Sequence, residues 1–146
     1  MFEAFCKPLS LDEFKKGYWP RKSFASHGVL SRLPALFSAP PLDSLASLLK
    51  VYRGATNFSR GSRSTSTVNA PANVLPFKLW EMGLTLYLAE VKSVIPNSDE
   101  FIKTLEKELE LPAGSVRLGV FASPKGEGAP CHYDVEDIFF CAIARV

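Results

Sequence analysis

The spacing of apolar residues changes near Gly114, and this change limits what the chain can fold into. Before it, Phe101, Leu105 and Leu109 recur at an interval that places them on one face of a helix. After it, apolar and polar residues alternate over residues 115–122, which is the period of a half-buried β-strand. Helices that precede strands in this way are typical of the α+β class. The sequence therefore predicts an α+β fold.

Two helices in the first third of the chain are indicated by residues that cap helix N-termini. Ser10 and Glu13 have the spacing of a capping box, and the helix that they begin is expected to end within residues 17–20. Asp43 is the expected cap of a second helix that reaches about Tyr52.

Two further helices are predicted in the second half. Residues 77–91 carry a broad apolar stripe at helical spacing. Asn97 or Ser98 is expected to cap the next helix, which ends at Pro112.

The remaining segments are predicted as strands and loops. Besides residues 115–122, strands are expected over residues 22–28 and 132–146. A loop is expected over the proline-rich residues 34–41, and a loop or strand-loop over the polar residues 54–75.

Length, charge and apolar runs exclude several classes of protein. The 146 residues suit one domain, and a net charge of +2 gives no strong signal for nucleic acid. No apolar run approaches the roughly 20 residues of a membrane-spanning helix, and no secretory signal is recognisable. The three cysteines (Cys6, Cys131 and Cys141) are odd in number and form no CxxC pair. They predict reduced thiols in a cytoplasmic protein. The near-balanced charge and the lack of a long apolar run predict no membrane partner.

One locally basic stretch surrounds the polar loop near residues 54–75. Arg53, Arg60 and Arg63 lie in or beside it. A solvated loop is the favoured interpretation, and a site for RNA or a ribosomal particle is the alternative.

The residues that suggest chemistry are His132 and Asp134. On a strand, residues two apart point to the same face, so the imidazole and the carboxylate would lie side by side. These are two of the three ligands in the facial triad of non-haem Fe(II) oxygenases. An ordinary hydrogen-bonded histidine beside a surface acid is the alternative interpretation.

The surrounding sequence resembles a known family. The loop from Ser123 through Gly126 to Gly128 precedes His132-x-Asp134, and an acid and the apolar run Ile138-Phe-Phe follow. The N-terminal segment that leads into Tyr18-Trp19-Pro-Arg-Lys adds to the likeness. Together these motifs resemble the JmjC-like cupin-4 family of Fe(II)/2-oxoglutarate-dependent oxygenases, which includes ribosomal-protein hydroxylases. The most specific part covers residues 119–141.

The resemblance implies a fold, a site and partners. It implies one partial cupin domain over residues 1–146, mainly helical over 1–110, with the first strands of a jelly-roll core over 111–146. His132 and Asp134 would be metal ligands, and the site loop would comprise Ser123, Gly126, Gly128 and Pro130. It implies Fe(II) and 2-oxoglutarate as cofactors, a protein substrate with ribosomal proteins as one candidate, and a homodimer as a candidate assembly.

The chain also departs from the family pattern. The family has a second metal-binding histidine well after the His-x-Asp motif, but the chain ends at Val146 and His27 is its only other histidine. A closed barrel needs eight strands, which this chain does not offer. We therefore expect a truncated member with weak or no activity alone. The alternative is a non-catalytic module for protein interaction or self-association.

Overall fold

The computed structural model describes residues 1–28, 30–60, 65–68, 75–128 and 132–143. In these ranges the α-helices are α1 (Glu3–Cys6), α2 (Leu11–Gly17), α3 (Leu45–Val51), α4 (Leu75–Glu81) and α5 (Ser98–Glu108). The strands are β1 (Thr56–Ser59), β2 (Thr65–Val68), β3 (Thr85–Leu88) and β4 (Val120–Ala122). Short 3-10 turns occupy Leu30–Arg32, Ala35–Phe37 and Val91–Val94. No helix in the described ranges has both the length and the apolar character needed to cross a membrane.

The strands form one open antiparallel sheet in the order β2–β1–β3–β4. Phe58 of β1 lies opposite Leu86 of β3, and Tyr87 of β3 lies opposite Phe121 of β4. The mixed helix-and-strand class is confirmed. The predicted order of helices first and strands later is wrong, because β1, β2 and β3 all precede α5.

One core cluster lies between α3 and the sheet. Leu48 and Leu49 of α3 meet Leu86 and Leu88 of β3, and all four side chains are almost fully buried. Leu86 and Leu88 are two residues apart, so they share the face of the sheet that the helix covers.

A second core cluster lies between the N-terminal helices and α5. Phe2 and Phe14 pack against the α5 residues Phe101, Ile102 and Leu105. The stripe predicted for this helix from its spacing is therefore confirmed as core.

Local capping decides where two helices begin. The capping box at Ser10 is confirmed: the Glu13 N–H donates to Ser10 Oγ at 3.3 Å, and the Ser10 N–H donates to Glu13 Oε2 at 2.8 Å. The predicted cap Asp43 is wrong by one residue. Ser44 caps α3, with its Oγ accepting from the Ser47 N–H at 3.1 Å.

The helix predicted over residues 77–91 is wrong beyond Glu81. Gly83 adopts a φ of +92°, which ends α4, and β3 follows directly. Met82, predicted as part of the apolar stripe, is 67% exposed. The apolar stripe led to a wrong prediction because leucines two residues apart within it also suit a strand. Pairing with β1 and β4 supplies hydrogen-bond partners for the backbone of β3.

The other segments differ from prediction in three places. Residues 22–28 and the described residues 132–143 form no strand. Burial does alternate over residues 115–122 as predicted, but only Val120–Ala122 pairs with a neighbour. The polar segment near 54–75 contains β1 and β2, in keeping with the predicted strand and loop.

Candidate functional site

The candidate site begins where β4 ends. Ser123 follows β4 directly, and its Oγ accepts a hydrogen bond from Thr85 Oγ1 at 3.0 Å. Thr85 is only 5% exposed and belongs to β3. The bond therefore fixes the start of the loop to a buried residue of the neighbouring strand.

The loop then makes a tight turn at Gly126. The Glu127 N–H donates to the Pro124 carbonyl at 3.0 Å, and Gly126 has a φ of +83°. Residues that carry a side chain rarely adopt this backbone conformation, so the turn at position 126 favours glycine. Gly128 has open space around its Cα and no positive φ, so nothing there requires glycine. Pro130 lies outside the described residues.

His132 and Asp134 lie side by side, as predicted. His132 Nε2 is 3.5 Å from Asp134 Oδ2, and the two side chains are 47% and 41% exposed. The strand that was expected to bring them together is not formed, because residues 132–134 pair with no strand. An irregular segment presents the pair instead.

The separation of these two atoms, 3.5 Å, is close to the spacing of two ligands on one metal ion. Two ligands with bonds of about 2.1 Å lie roughly 3.0–3.4 Å apart at octahedral to tetrahedral angles. One imidazole nitrogen and one carboxylate oxygen also match the chemistry of an Fe(II), Mn(II) or Zn(II) site. Within the described ranges, however, no three His, Cys, Asp or Glu residues come together as a metal-binding group. The pair thus fits two positions of a metal site, and the described residues supply no third.

The segment after Asp134 is held by aromatic contacts. The Phe139 ring stacks on Trp19 at 5.3 Å between ring centroids and meets the Phe2 ring edge-on at 4.9 Å. The Phe140 ring lies 6.0 Å from that of Phe121 in β4. These contacts place the segment over the N-terminal helices and the edge of the sheet.

Burial disfavours the reactive thiolate form of two cysteines. Burial raises the pKa of the Cys6 thiol to about 11 and also raises the pKa of Cys141. A thiol reacts as its thiolate, which is scarce under these conditions. Both residues are free thiols, as predicted, and Cys131 lies outside the described residues.

The basic stretch contributes one side chain to a cavity. A cavity of about 590 Å³ lies between the end of α3, β1 and residues 89–94, and Arg53 and Tyr52 line it. The Arg53 guanidinium donates to the Tyr52 carbonyl at 2.8 Å. Arg60 is exposed just after β1, and Arg63 lies outside the described residues. No lining residue of this cavity belongs to the loop or to the His132–Asp134 pair.

The sequence did not reveal two contacts that position the site. Thr85 was placed in a helix, so its bond to Ser123 was not foreseen. Trp19 and Phe139 were noted as motif residues, but their contact joins positions 120 residues apart. The alternation of apolar residues over 85–88 is the signal that would have revealed Thr85 as a strand residue.

The fold and the site define the chain as a mixed helix-and-strand protein with a half-exposed histidine–aspartate pair beside an antiparallel sheet. No family model matches the chain. It is 27% identical over 143 residues to the uncharacterized protein YxbC of Bacillus subtilis (strain 168). The match covers 92% of this chain and 42% of YxbC, so the chain spans less than half the length of that relative.

Proposed function

We propose that His132 and Asp134 bind a divalent metal ion, and that the chain represents the metal-ligand part of an Fe(II)/2-oxoglutarate-dependent oxygenase. The 3.5 Å separation of Nε2 and Oδ2 carries the proposal, because it suits two ligands of one ion. When bound, Fe(II) and 2-oxoglutarate supply the oxygen activation that hydroxylates a C–H bond. The likeness of residues 119–141 to the JmjC-like cupin-4 family adds the reaction class.

The loop before the pair would serve to position it. The Thr85–Ser123 hydrogen bond holds the end of β4, and the turn at Gly126 reverses the chain ahead of His132. In the same proposal, the open sheet is the beginning of a jelly-roll core. A protein substrate, with a ribosomal protein as one candidate, and a cytoplasmic location belong to this proposal as well.

The described residues provide two ligands, and two ligands hold a metal ion weakly. We therefore expect measurable metal binding but weak or no oxygenase activity from this chain alone. Half-exposed side chains lose little packing on substitution, so variants at both positions are expected to fold.

Anaerobic titration with Mn(II), followed by the loss of the free-ion EPR signal, tests the metal site. Wild-type protein is expected to bind one equivalent. His132→Ala and Asp134→Ala are each expected to bind at least tenfold more weakly. His27→Ala and Glu136→Gln are the matched controls, since they remove an exposed histidine and a neighbouring exposed acid without touching the pair.

The outcomes separate the proposal from its alternative. Binding by folded His132→Ala that equals wild type would show that the pair is a surface interaction and not a ligand set. Thermal melts of each variant establish that it folds. Succinate formation from 2-oxoglutarate with Fe(II), lost in His132→Ala, would demonstrate the oxygenase part separately.

A further inference from the structure

The cavity at the end of α3, which we call the α3 cavity, has no part in the proposed metal site. None of the residues that line it belongs to the loop before His132 or to the His132–Asp134 pair. Its volume of about 590 Å³ lies within the range of small-molecule sites, roughly 300–1,000 Å³. One wall comes from the end of α3 and the start of β1, and the other from the segment 89–94. The α3 cavity is therefore a separate candidate for a binding site.

Tyr52 holds the two walls of the α3 cavity beside each other. This buried residue lines the cavity, and its Oη lies 2.8 Å from the carbonyl oxygens of both Ala55 and Ala89, one in each wall. Gly54 passes so close to the Tyr52 side chain that a Cβ at position 54 would collide with the ring and its hydroxyl. The shape of the cavity is therefore fixed by a buried side chain and a close backbone crossing.

Two opposite charges, Arg53 and Glu90, line the same cavity. The Arg53 guanidinium donates to the Tyr52 carbonyl at 2.8 Å and forms no ion pair with any residue that the structure describes. Glu90 Oε1 lies 3.9 Å from Arg117 Nε, but the two side chains are 65% and 81% exposed, so water weakens this pair. Arg53 and Glu90 do not pair with each other. Both charges therefore remain able to bind a ligand in the cavity.

Glu90 has a backbone conformation that favours glycine. Its φ of +51° lies in the left-handed region, which residues with a side chain seldom adopt. From Glu90 the chain enters the 3-10 turn Val91–Val94, of which Ser93 and Val94 line the cavity. Glycine would adopt this φ without strain, so the glutamate brings strain together with its charge. Strain of this kind is typical of residues in functional sites.

We propose that the α3 cavity binds a small zwitterion with an apolar side chain, that is, an aliphatic amino acid or a dipeptide. The ligand carboxylate pairs with the Arg53 guanidinium, whose planar set of N–H donors suits two carboxylate oxygens. The ligand ammonium group pairs with the Glu90 carboxylate. The apolar side chain of the ligand is covered by the apolar lining residues, among them Val51, Ala55 and Val94.

The two charges favour a zwitterion over other small ligands. A simple anion, such as a phosphate or a fatty acid, would be attracted by Arg53 but repelled by Glu90 in the same cavity. A simple cation would meet the opposite conflict. A neutral apolar ligand would displace water from both charged groups and offer neither a partner. A ligand that carries both charges gains from both side chains.

Amide NMR of the purified chain, titrated without metal ions with L-leucine and separately with leucyl-leucine, tests the proposal. Gly54, Ala55 and Ser93 line the cavity, so their amide signals should shift and saturate, with a Kd below about 1 mM for the better ligand. The amide of Lys125, in the loop outside the cavity, should not shift. The two ligands hold their ammonium and carboxylate groups at different separations. Tighter binding of leucine would assign the cavity to a free amino acid, and tighter binding of leucyl-leucine to a dipeptide; both support the zwitterion.

Ligands that lack one charge, combined with variants that lack its partner, give the sharper test. Isocaproate is leucine without the ammonium group, and isoamylamine is leucine without the carboxylate; each should bind wild type about tenfold more weakly than leucine. Arg53→Gln should weaken leucine binding about tenfold but not isoamylamine binding, because that ligand has no carboxylate to lose a partner. Glu90→Gln should likewise weaken the binding of leucine but not of isocaproate. Arg60→Gln and Glu81→Gln, matched changes at exposed residues that do not line the cavity, should bind leucine like wild type.

Three results would overturn the proposal. The first is the absence of any saturable shift of the cavity amides with either zwitterion up to about 10 mM. The second is isocaproate or isoamylamine that binds as tightly as leucine, because one of the two charges would then contribute nothing. The third is equal weakening by Arg53→Gln and Arg60→Gln, with thermal melts showing that both variants fold. The variants leave His132 and Asp134 intact and the titration contains no metal ion, so failure here does not bear on the metal site.

Discussion

Substitution of Glu106 should destabilise the chain more than any exposed acid does. Glu106 lies in α5 and is only 6% exposed. Its Oε1 accepts from the Gly114 N–H at 2.8 Å and from the Val116 N–H at 3.2 Å. One buried carboxylate therefore fixes the turn that leads from α5 towards β4.

The size of the effect follows from those two bonds. A hydrogen bond to a charged group contributes about 1.5–3 kcal/mol to stability. Gly114 is exposed, so its N–H can bond to water once the carboxylate is gone, whereas the half-buried Val116 N–H is harder to satisfy. Glu106→Ala should therefore lower the free energy of unfolding by about 2–3 kcal/mol. Glu106→Gln retains a carbonyl acceptor of the same shape and should cost about 1 kcal/mol.

Urea unfolding, monitored by circular dichroism, measures the free energy of unfolding of both variants. Thermal melts should show a Tm lowered by about 3 °C for each kcal/mol lost. Glu81→Ala is the control, since this acid is exposed at the end of α4 and its loss should change stability by less than about 0.5 kcal/mol. If Glu106→Ala unfolds like wild type, or Glu106→Gln costs as much as Glu106→Ala, the hydrogen bonds to this carboxylate do not hold the turn.

Three further predictions rest on single side chains. Tyr52→Phe should cost about 1–2 kcal/mol in urea unfolding, because the buried hydroxyl, which lies 2.8 Å from the carbonyl oxygens of both Ala55 and Ala89, donates its one hydrogen to one of them at a time, and that bond would be lost. Tyr87→Phe is the control and should cost less. Hydrogen bonds from Ser10, first from its backbone and then from its side chain, lower the pKa of Glu13. The charged carboxylate therefore stabilises the fold above its unfolded pKa, and this contribution is lost as the pH falls through the folded value. Glu13→Gln should accordingly lower Tm at pH 7, and the difference should vanish in acid; a difference that persists at pH 2 would contradict this. Because burial raises the pKa of Cys6 to about 11, iodoacetamide at pH 8 should label it only after unfolding, as read by peptide mass mapping; labelling at the rate of a free thiol would contradict its burial.

Elements that depend on neighbours in sequence were predicted well. The capping box of Ser10 and the apolar stripe of α5 are local patterns, and both are confirmed. Residues 77–91 failed because their apolar residues satisfy two periods at once. Only the distant strands β1 and β4, which offer hydrogen bonds to residues 85–88, decide between helix and strand there.

The sequence pointed to the His132–Asp134 pair but not to the contacts that position it. His132 and Asp134 lie side by side, but on an irregular segment and not on the strand from which their contact was predicted. Their surroundings depend on contacts between remote parts of the chain, such as Thr85 with Ser123 and Trp19 with Phe139. No periodicity within a short segment encodes such contacts.

Residues 132–143 make no strand pairing in the described chain, so their position depends on side-chain packing. Phe139 contacts Trp19 and Phe2, and Ile143 packs against the core beside the sheet. A substitution at Phe139 should therefore move the His132–Asp134 pair although it removes neither proposed ligand. Substitutions at exposed positions, such as Asp137, leave that packing intact. Variants at exposed positions that make no ring contact can therefore test the metal-site proposal without moving the pair.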